Sequence, residues 1–349
     1  MVSELLNIPS KPWRKKHPPH RILAIRLQAM GDLVITLPYL QHLRNQLPND
    51  SELDLLTREE VDEIPRSIRL FNHIYSIGGG RDLKKQIAYT CLLLPRLIWR
   101  NYDAILDLQN NIISRAVRKF ISPSAWSQFD RFSPIAAGEC TRLTIEVLGI
   151  GSSQAESSFQ INDPGAASRL LEAKGWNPNN ELIILNPAGA FPSRNWPIER
   201  FAEFAGIWIQ HFPNSQFLVL GTGKIEEKAK YLQSVLGELL INLVNITSAS
   251  QAFSIIQKTK LLLSEDSGLM HMSWVSGIPT LVLFGSTWSV RARPLGNHTL
   301  FLDSSDLECG HCRQEFCKYG DVHCLTRYTA AFVFGKALEL IKIKDSARQ

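Results

Sequence analysis

The chain has 349 residues, 44% of them hydrophobic and 20% charged, with a formal net charge of +5. That length suits two domains of ~150 residues or a little more, and so apolar a composition at so low a net charge excludes a disordered chain. The charge is also too mild, and too little organised into a basic stripe with aromatics, for a nucleic-acid binder.

The chain opens on a basic stretch, with Lys11, Arg14, Lys15, Lys16 and Arg21. It reads either as a solvated tail or as a segment drawn to an anionic surface. It has no apolar core of signal-peptide length, which points to the cytoplasm. Strand signals follow at 21–27, 52–57, 74–77, 104–108 and 126–129, with helical patterns at 83–100 and 111–121. No apolar run reaches the ~18 residues of a membrane span. The nearest, 87–99, is broken by Pro95 and Arg96, and its Leu92, Leu93 and Leu97 read best as a helix packed on a sheet. Residues 151–178 are small, polar and turn-rich and mark a boundary. We place an N-terminal domain at 1–165 and a C-terminal domain at 166–349. The second set of strands is clearer: 182–186, 216–220, 241–245, 261–264 and 280–284. Continuous apolar runs are what strands buried on both faces require. Their alternation with helices predicts two doubly wound parallel α/β domains, with ligands outside the carboxyl ends of the strands in a cleft between them.

Four segments at strand ends carry chemistry. In ILAIRLQAMGDLVITLPYL, Asp32 follows Gly31 where a strand hands over to a helix, a position that also suits an N-cap. In NPAGAFPSRNWP, a loop shaped by Pro187, Gly189 and Pro192 delivers Arg194, which can clamp a phosphate or be an ordinary surface arginine. In LGTGKIEEKAKYL, a glycine turn precedes Glu226 and Glu227, which can accept hydrogen bonds from a ribose or be plain solvated charges. SEDSGLMHMSWVSGIPTLVLFGST is the strongest. Its strand ends at Glu265-Asp266; small residues Ser267 and Gly268 open a helix whose free amides favour a phosphate, and His271 lies one turn in. Asp266 can equally be a cap and His271 a core histidine. Of the six cysteines, Cys91 and Cys140 read as core residues. The other four form C-x2-C-x4-C-x6-C at Cys309, Cys312, Cys317 and Cys324. Such a set can hold a tetrahedral metal or pack a loop as reduced thiols, disulfides being unlikely in a reducing compartment.

In order along the chain, GDLVITLP, DLQNNIISRA, NPAGAFPSRNWP, LGTGKIEEKAK, DSGLMHMSWVSGIPTLVLFGST and the late cysteines resemble glycosyltransferase family nine, the bacterial heptosyltransferases of lipopolysaccharide core assembly. The resemblance implies a GT-B fold of two Rossmann-like domains facing a central cleft. It implies an inverting transfer without metal or other cofactor, from a nucleotide sugar such as ADP-heptose to an anionic lipid-linked saccharide. The expected enzyme is a monomer at the inner face of the cytoplasmic membrane. The C-terminal domain would take the donor through Arg194, Glu226, Thr247, Asp266, Ser267, Gly268 and His271. The N-terminal domain would take the acceptor beside Gly31, Asn110 and Asn111, with Asp32 as catalytic base. Partial burial beside Leu33, Val34 and Leu37 is expected to raise the proton affinity of Asp32. The sequence holds no Asp-x-Asp triplet, the usual metal anchor of the other large glycosyltransferase fold. The basic start is extra to the family pattern. A nucleotide-sugar epimerase or hydrolase and a non-catalytic sugar-nucleotide binding module stand as the other readings.

Overall fold

The computed structural model describes residues 8–346, with side chains through residue 343; the first seven residues of the basic start lie outside it. The chain divides between Asn162 and Asp163 into two compact units.

Unit one runs β1 (Ser10–Lys11), β2 (Arg21–Ile25), α1 (Met30–Gln46), β3 (Glu52–Arg58), α2 (Glu63–Ser67), β4 (Ile74–Ile77), α3 (Leu83–Trp99), β5 (Ala104–Asp107), α4 (Ile112–Ile121), β6 (Ala125–Gln128) and α5 (Ala137–Glu146). The sheet order is β1-β6-β5-β2-β3-β4, parallel throughout except for β1. Ile22, Leu23, Ala24 and Ile25 on β2 are fully buried, as a central strand covered on both faces requires. Each such Leu or Ile contributes ~1.5–3 kcal/mol of burial.

The described part of the basic start is not a free tail. Ser10 and Lys11 lie antiparallel to Ser127 and Trp126 on β6, Ile8 is buried, and the Trp13 amide donates to the Leu148 carbonyl at 2.8 Å. A two-residue edge strand is too short to show a period in sequence. Two further expectations change. Cys91 is exposed while Cys140 is buried. Leu97 packs in the core, but Leu92 on the same helix is 79% exposed.

Unit two runs α6 (Ala166–Ala173), β7 (Glu181–Asn186), α7 (Ile198–His211), β8 (Ser215–Gly221), α8 (Glu226–Leu236), β9 (Leu240–Val244), α9 (Ala249–Ile256), β10 (Leu261–Glu265), α10 (Gly268–Val275), β11 (Thr280–Leu283), α11 (Ser289–Ala292), β12 (Thr299–Leu302), α12 (His323–Thr326) and α13 (Ala330–Ser346). The order is β12-β11-β10-β7-β8-β9, all parallel. β12 was not anticipated; its residues are only half-buried, so it lacks the fully apolar signature of the other strands. Phe201, Phe204 and Trp208 of α7 pack with Val333 and Phe334 of α13 against the sheet.

In each sheet the winding reverses direction once, between β2 and β5 in unit one and between β7 and β10 in unit two. Crossover loops leave to opposite sides there, opening a crevice at the carboxyl ends of the two strands. No helix among the described residues is long and apolar enough to cross a membrane.

Candidate functional site

At the switch point of unit one, the turn after β2 carries Arg26 and the start of α1 carries Gly31 and Asp32. Asp32 is not the N-cap; that residue is Ala29. Its carboxylate reaches back to accept the Ala29 amide at 3.1 Å and pairs with the Arg26 guanidinium at 2.9 Å. The expected apolar surroundings are absent: Leu33, Val34 and Leu37 turn into the core, and the Asp32 side chain is 44% exposed. Helical periodicity explains the difference, because residues one, two and five positions on leave the helix in other directions.

Arg26 had no signal in sequence, being one cation between apolar residues. It is almost wholly buried, donates to the Leu108 carbonyl across the crevice and lies 5.1 Å over the Phe129 ring. Burial lowers its pKa from the ordinary arginine value, while the Asp32 charge and hydrogen bond act the other way. Gln109 ties the two loops: its side-chain oxygen accepts the Leu27 and Gln28 amides at 2.8 and 2.9 Å. Asn110 takes a positive φ of 50°; its amide donates to Asp107 at 2.7 Å and its side chain to the Phe129 carbonyl at 2.8 Å. Asn111 caps α4, accepting the Ser114 amide at 2.9 Å. Both asparagines thus shape the loop; among the described residues the Asn110 side-chain oxygen is buried without a hydrogen-bond partner, as is one oxygen of Asp107.

At the switch point of unit two lies a cavity of about 640 Å³, walled by the loop after β7, the turn after β8 and the first residues of α9 and α10. Asp266, Ser267, Gly268 and Thr247 line it; Arg194, Glu226 and His271 do not. Asp266 is held by Arg194 at 3.1 Å and by the Thr287 hydroxyl at 2.7 Å. Arg194 also stacks 4.7 Å from the Phe191 ring. Glu226 points away and pairs with Lys230 at 3.2 Å, and its neighbour Ile225 occupies the wall instead. That one-residue offset is what a glycine turn of unknown geometry leaves open in sequence. His271 packs near Trp274.

The start of α10 forms part of this wall. Ser267 is its N-cap but makes no side-chain cap bond; its hydroxyl accepts from Asn186 at 2.6 Å. The first amides of α10 therefore keep their donors for a ligand. By contrast, Ser248 caps α9 by accepting the Gln251 amide. A methyl group placed on Gly268 meets no atom within 4 Å. The protein's own packing does not demand glycine there, whereas a ligand approaching the backbone would.

Sequence missed the carboxylate beneath the loop. Glu265 ends an apolar strand and is fully buried. It accepts the amides of Gly189 and Trp196, each at 2.6 Å, and faces Lys228 at 3.7 Å. Burial pushes its pKa up to about 7, against the pull of Lys228 and the two amides. A charge closing an otherwise apolar strand run was the available signal. Gly189 allows the loop to fold this tightly, since a Cβ there would lie 2.4 Å from the Arg194 carbonyl. Lys228 also donates to the Pro187 carbonyl and to Asn195 at 2.7 and 2.9 Å. Lys224, on the cavity wall, makes no ion pair among the described residues.

The late cysteines are all free thiols. Burial and then the neighbouring Cys317, Cys312 and Cys309 push the Cys324 thiol up to about 11. Among the described residues no group of three or more His, Cys, Asp or Glu is placed to hold a metal.

Against known proteins, residues 130–323, more than half of the chain, match the family described as glycosyltransferase family 9 (heptosyltransferase). Lipooligosaccharide heptosyltransferase 2 of Campylobacter jejuni is 29% identical over 167 residues, 46% of this chain. That match spans about half the length of the relative, 51%. The lipopolysaccharide core heptosyltransferase OpsX of Haemophilus influenzae is 23% identical over 80% of this chain and 83% of its own. Two solved structures share the fold: a family 9 glycosyl transferase from Veillonella parvula (TM-score 0.76, 20% identity, 93% and 97% coverage) and ADP-heptose lps heptosyltransferase II of E. coli (TM-score 0.71, 18% identity, 93% and 99% coverage).

Proposed function

From the premise that the chain belongs to glycosyltransferase family 9, with two Rossmann-like units of the GT-B kind, we propose that it transfers a sugar, heptose from ADP-heptose, to a lipid-linked saccharide of the lipopolysaccharide core. The observation that carries this reading is the cavity of unit two, where an uncapped helix start and the open backbone of Gly268 offer amides to a diphosphate. Asp266, Ser267 and Gly268 bind the donor there, with Thr247 toward the base. Arg194 serves through Asp266 or by exchanging that carboxylate for phosphate, and His271 supports α10. Glu226 contributes only if the turn before α8 rearranges, so Lys224 and Lys228 are the better candidates for contacts on that wall.

Unit one takes the acceptor at Gly31, Asn110 and Asn111. Asp32 accepts the proton of the attacking hydroxyl as the new carbon–oxygen bond forms and the nucleoside diphosphate leaves with its electron pair, inverting the anomeric carbon. Arg26 supports this by fixing the carboxylate, and no metal enters the step. The enzyme works as a monomer on the inner face of the cytoplasmic membrane.

Calorimetry against ADP-heptose, UDP-sugars and free ADP tests the donor, and mass spectrometry of a core-saccharide acceptor tests the transfer. Binding of ADP-heptose with a one-heptose mass gain is expected. Absence of any affinity for ADP-heptose overturns the reading. Turnover of the nucleotide sugar without acceptor points to an epimerase or hydrolase instead.

A further inference from the structure

Helix α3 is built the wrong way round for a helix that only packs on a sheet. Of its seventeen residues, only Gln86, Thr90 and Leu97 are buried. Tyr89, Leu92 and Trp99 recur at intervals of three and seven on one outward stripe, and Leu92 and Trp99 are 79% and 81% exposed. A second stripe, Ile87, Cys91 and Leu94, faces α4, where Ile112 and Phe120 are exposed as well. Between the helices lies an apolar cleft of about 190 Å³. Its rim is basic. α3 carries Lys84, Lys85 and Arg96, α4 carries Arg115, Arg118 and Lys119, and neither helix contains an Asp or Glu. Lys84, Lys85 and Lys119 have no ion-pair partner among the described residues. β1 adds to this side: Lys11 stands opposite Trp126, and cross-strand partners share a face. The Arg118 guanidinium lies 4.0 Å over that Trp126 ring.

We propose that the α3–α4 face of unit one docks on an anionic lipid surface, with the interhelical cleft receiving an acyl chain. Exposed apolar side chains on helices whose own charges are all basic, with Trp and Tyr among them, match the layered chemistry of a bilayer interface, where hydrocarbon lies below and phosphate above. A second copy of the chain fits less well. A two-fold contact through this face would set two basic helix pairs against each other. The choice of a lipid over an acidic protein rests on the lipid-linked acceptor proposed above. α4 begins directly after Asn111, so the cleft starts beside the loop assigned to that acceptor.

The test is co-sedimentation of the full chain with vesicles of phosphatidylglycerol and phosphatidylcholine, against phosphatidylcholine alone. The variants are L92E/W99E and K84E/K85E, all at exposed positions. Wild type should prefer the anionic vesicles by about tenfold or more, and each variant should lose most of that binding, about tenfold, with an unchanged circular dichroism spectrum. Wild type that ignores anionic vesicles, or variants that sediment as wild type does, overturn the proposal. So does a wild-type dimer in ultracentrifugation that L92E/W99E dissociates. Donor calorimetry on the same proteins separates the two ideas. Lost vesicle binding with intact donor affinity supports this surface. A chain without donor affinity whose vesicle binding still responds to the variants keeps this surface and removes the transferase reading.

Discussion

Asp32 and Gly268 show how one residue can be read for its role by asking what the protein itself needs from it. Asparagine at position 32 keeps an acceptor for the Ala29 amide but loses the ion pair to buried Arg26. Asp32→Asn should therefore cost ~1 kcal/mol of stability, the carboxylate being 44% exposed, and ~10²–10⁴ in turnover if the carboxylate is the base. Denaturant midpoints and single-turnover rates measure the two separately, and transfer within about threefold of wild type would show that Asp32 only caps and pairs. At Gly268 the expectation is reversed. Gly268→Ala should leave the melting temperature unchanged or slightly higher, since the methyl meets nothing and alanine suits a helix better. Donor affinity should fall by at least about tenfold, as the methyl fills the space a phosphate needs. Arg194→Ala should weaken the donor by a similar ~1.5–3 kcal/mol, through a lost charge-assisted contact and an Asp266 carboxylate left without its guanidinium. Equal donor affinity in either folded variant, read by calorimetry, removes that residue from the site.

Among the elements, the loop between β7 and α7 depends on Glu265. Both its oxygens accept backbone amides, so Glu265→Gln turns one N–H donor against another. The cost should be ~1–3 kcal/mol, seen as a lower urea midpoint. Its titration also gives a signed dependence on pH. The folded value, about 7, lies above the ordinary 4.5, so the folded state holds the proton longer. Stability from this group is full below pH 4.5 and falls as pH rises to about 7, by on the order of 3 kcal/mol. Above that it falls no further. Glu52, Glu60 and Asp303 act in the opposite sense and buried Asp107 in the same one, so the difference between wild type and Glu265→Gln across this window is the quantity to compare. A difference that does not change with pH would mean that Glu265 stays ionised in the folded protein throughout.

Across the whole molecule, each unit has its own sheet and its own switch point, and the two crevices carry different chemistry. Hydrogen exchange in the presence of ADP should protect the loop 187–197 and the starts of α9 and α10, with no change at residues 26–32 or 108–111. Protection at the unit-one crevice by ADP alone would place the donor in the wrong unit. A donor at one hundred times its dissociation constant should add ~2.7 kcal/mol to the stability of the unit that binds it.

The run of apolar strands alternating with helices was legible in the sequence itself, because a parallel strand buried on both faces reads as a near-continuous apolar run. So were the loops that follow those strands, since small residues and prolines announce them, and with them Asp266, Ser267 and Gly268. What the sequence could not determine were the partners. Arg26 reaching Asp32, Glu265 gathering the amides of Gly189 and Trp196, and Asn186 turning Ser267 away from its helix all depend on where separate strands end in space. The same holds for the outward face of α3. Its apolar residues look like core in one dimension, and only the packing of Gln86, Thr90 and Leu97 inward decides that Leu92 and Trp99 must point out, because a helix has one side to give to its sheet.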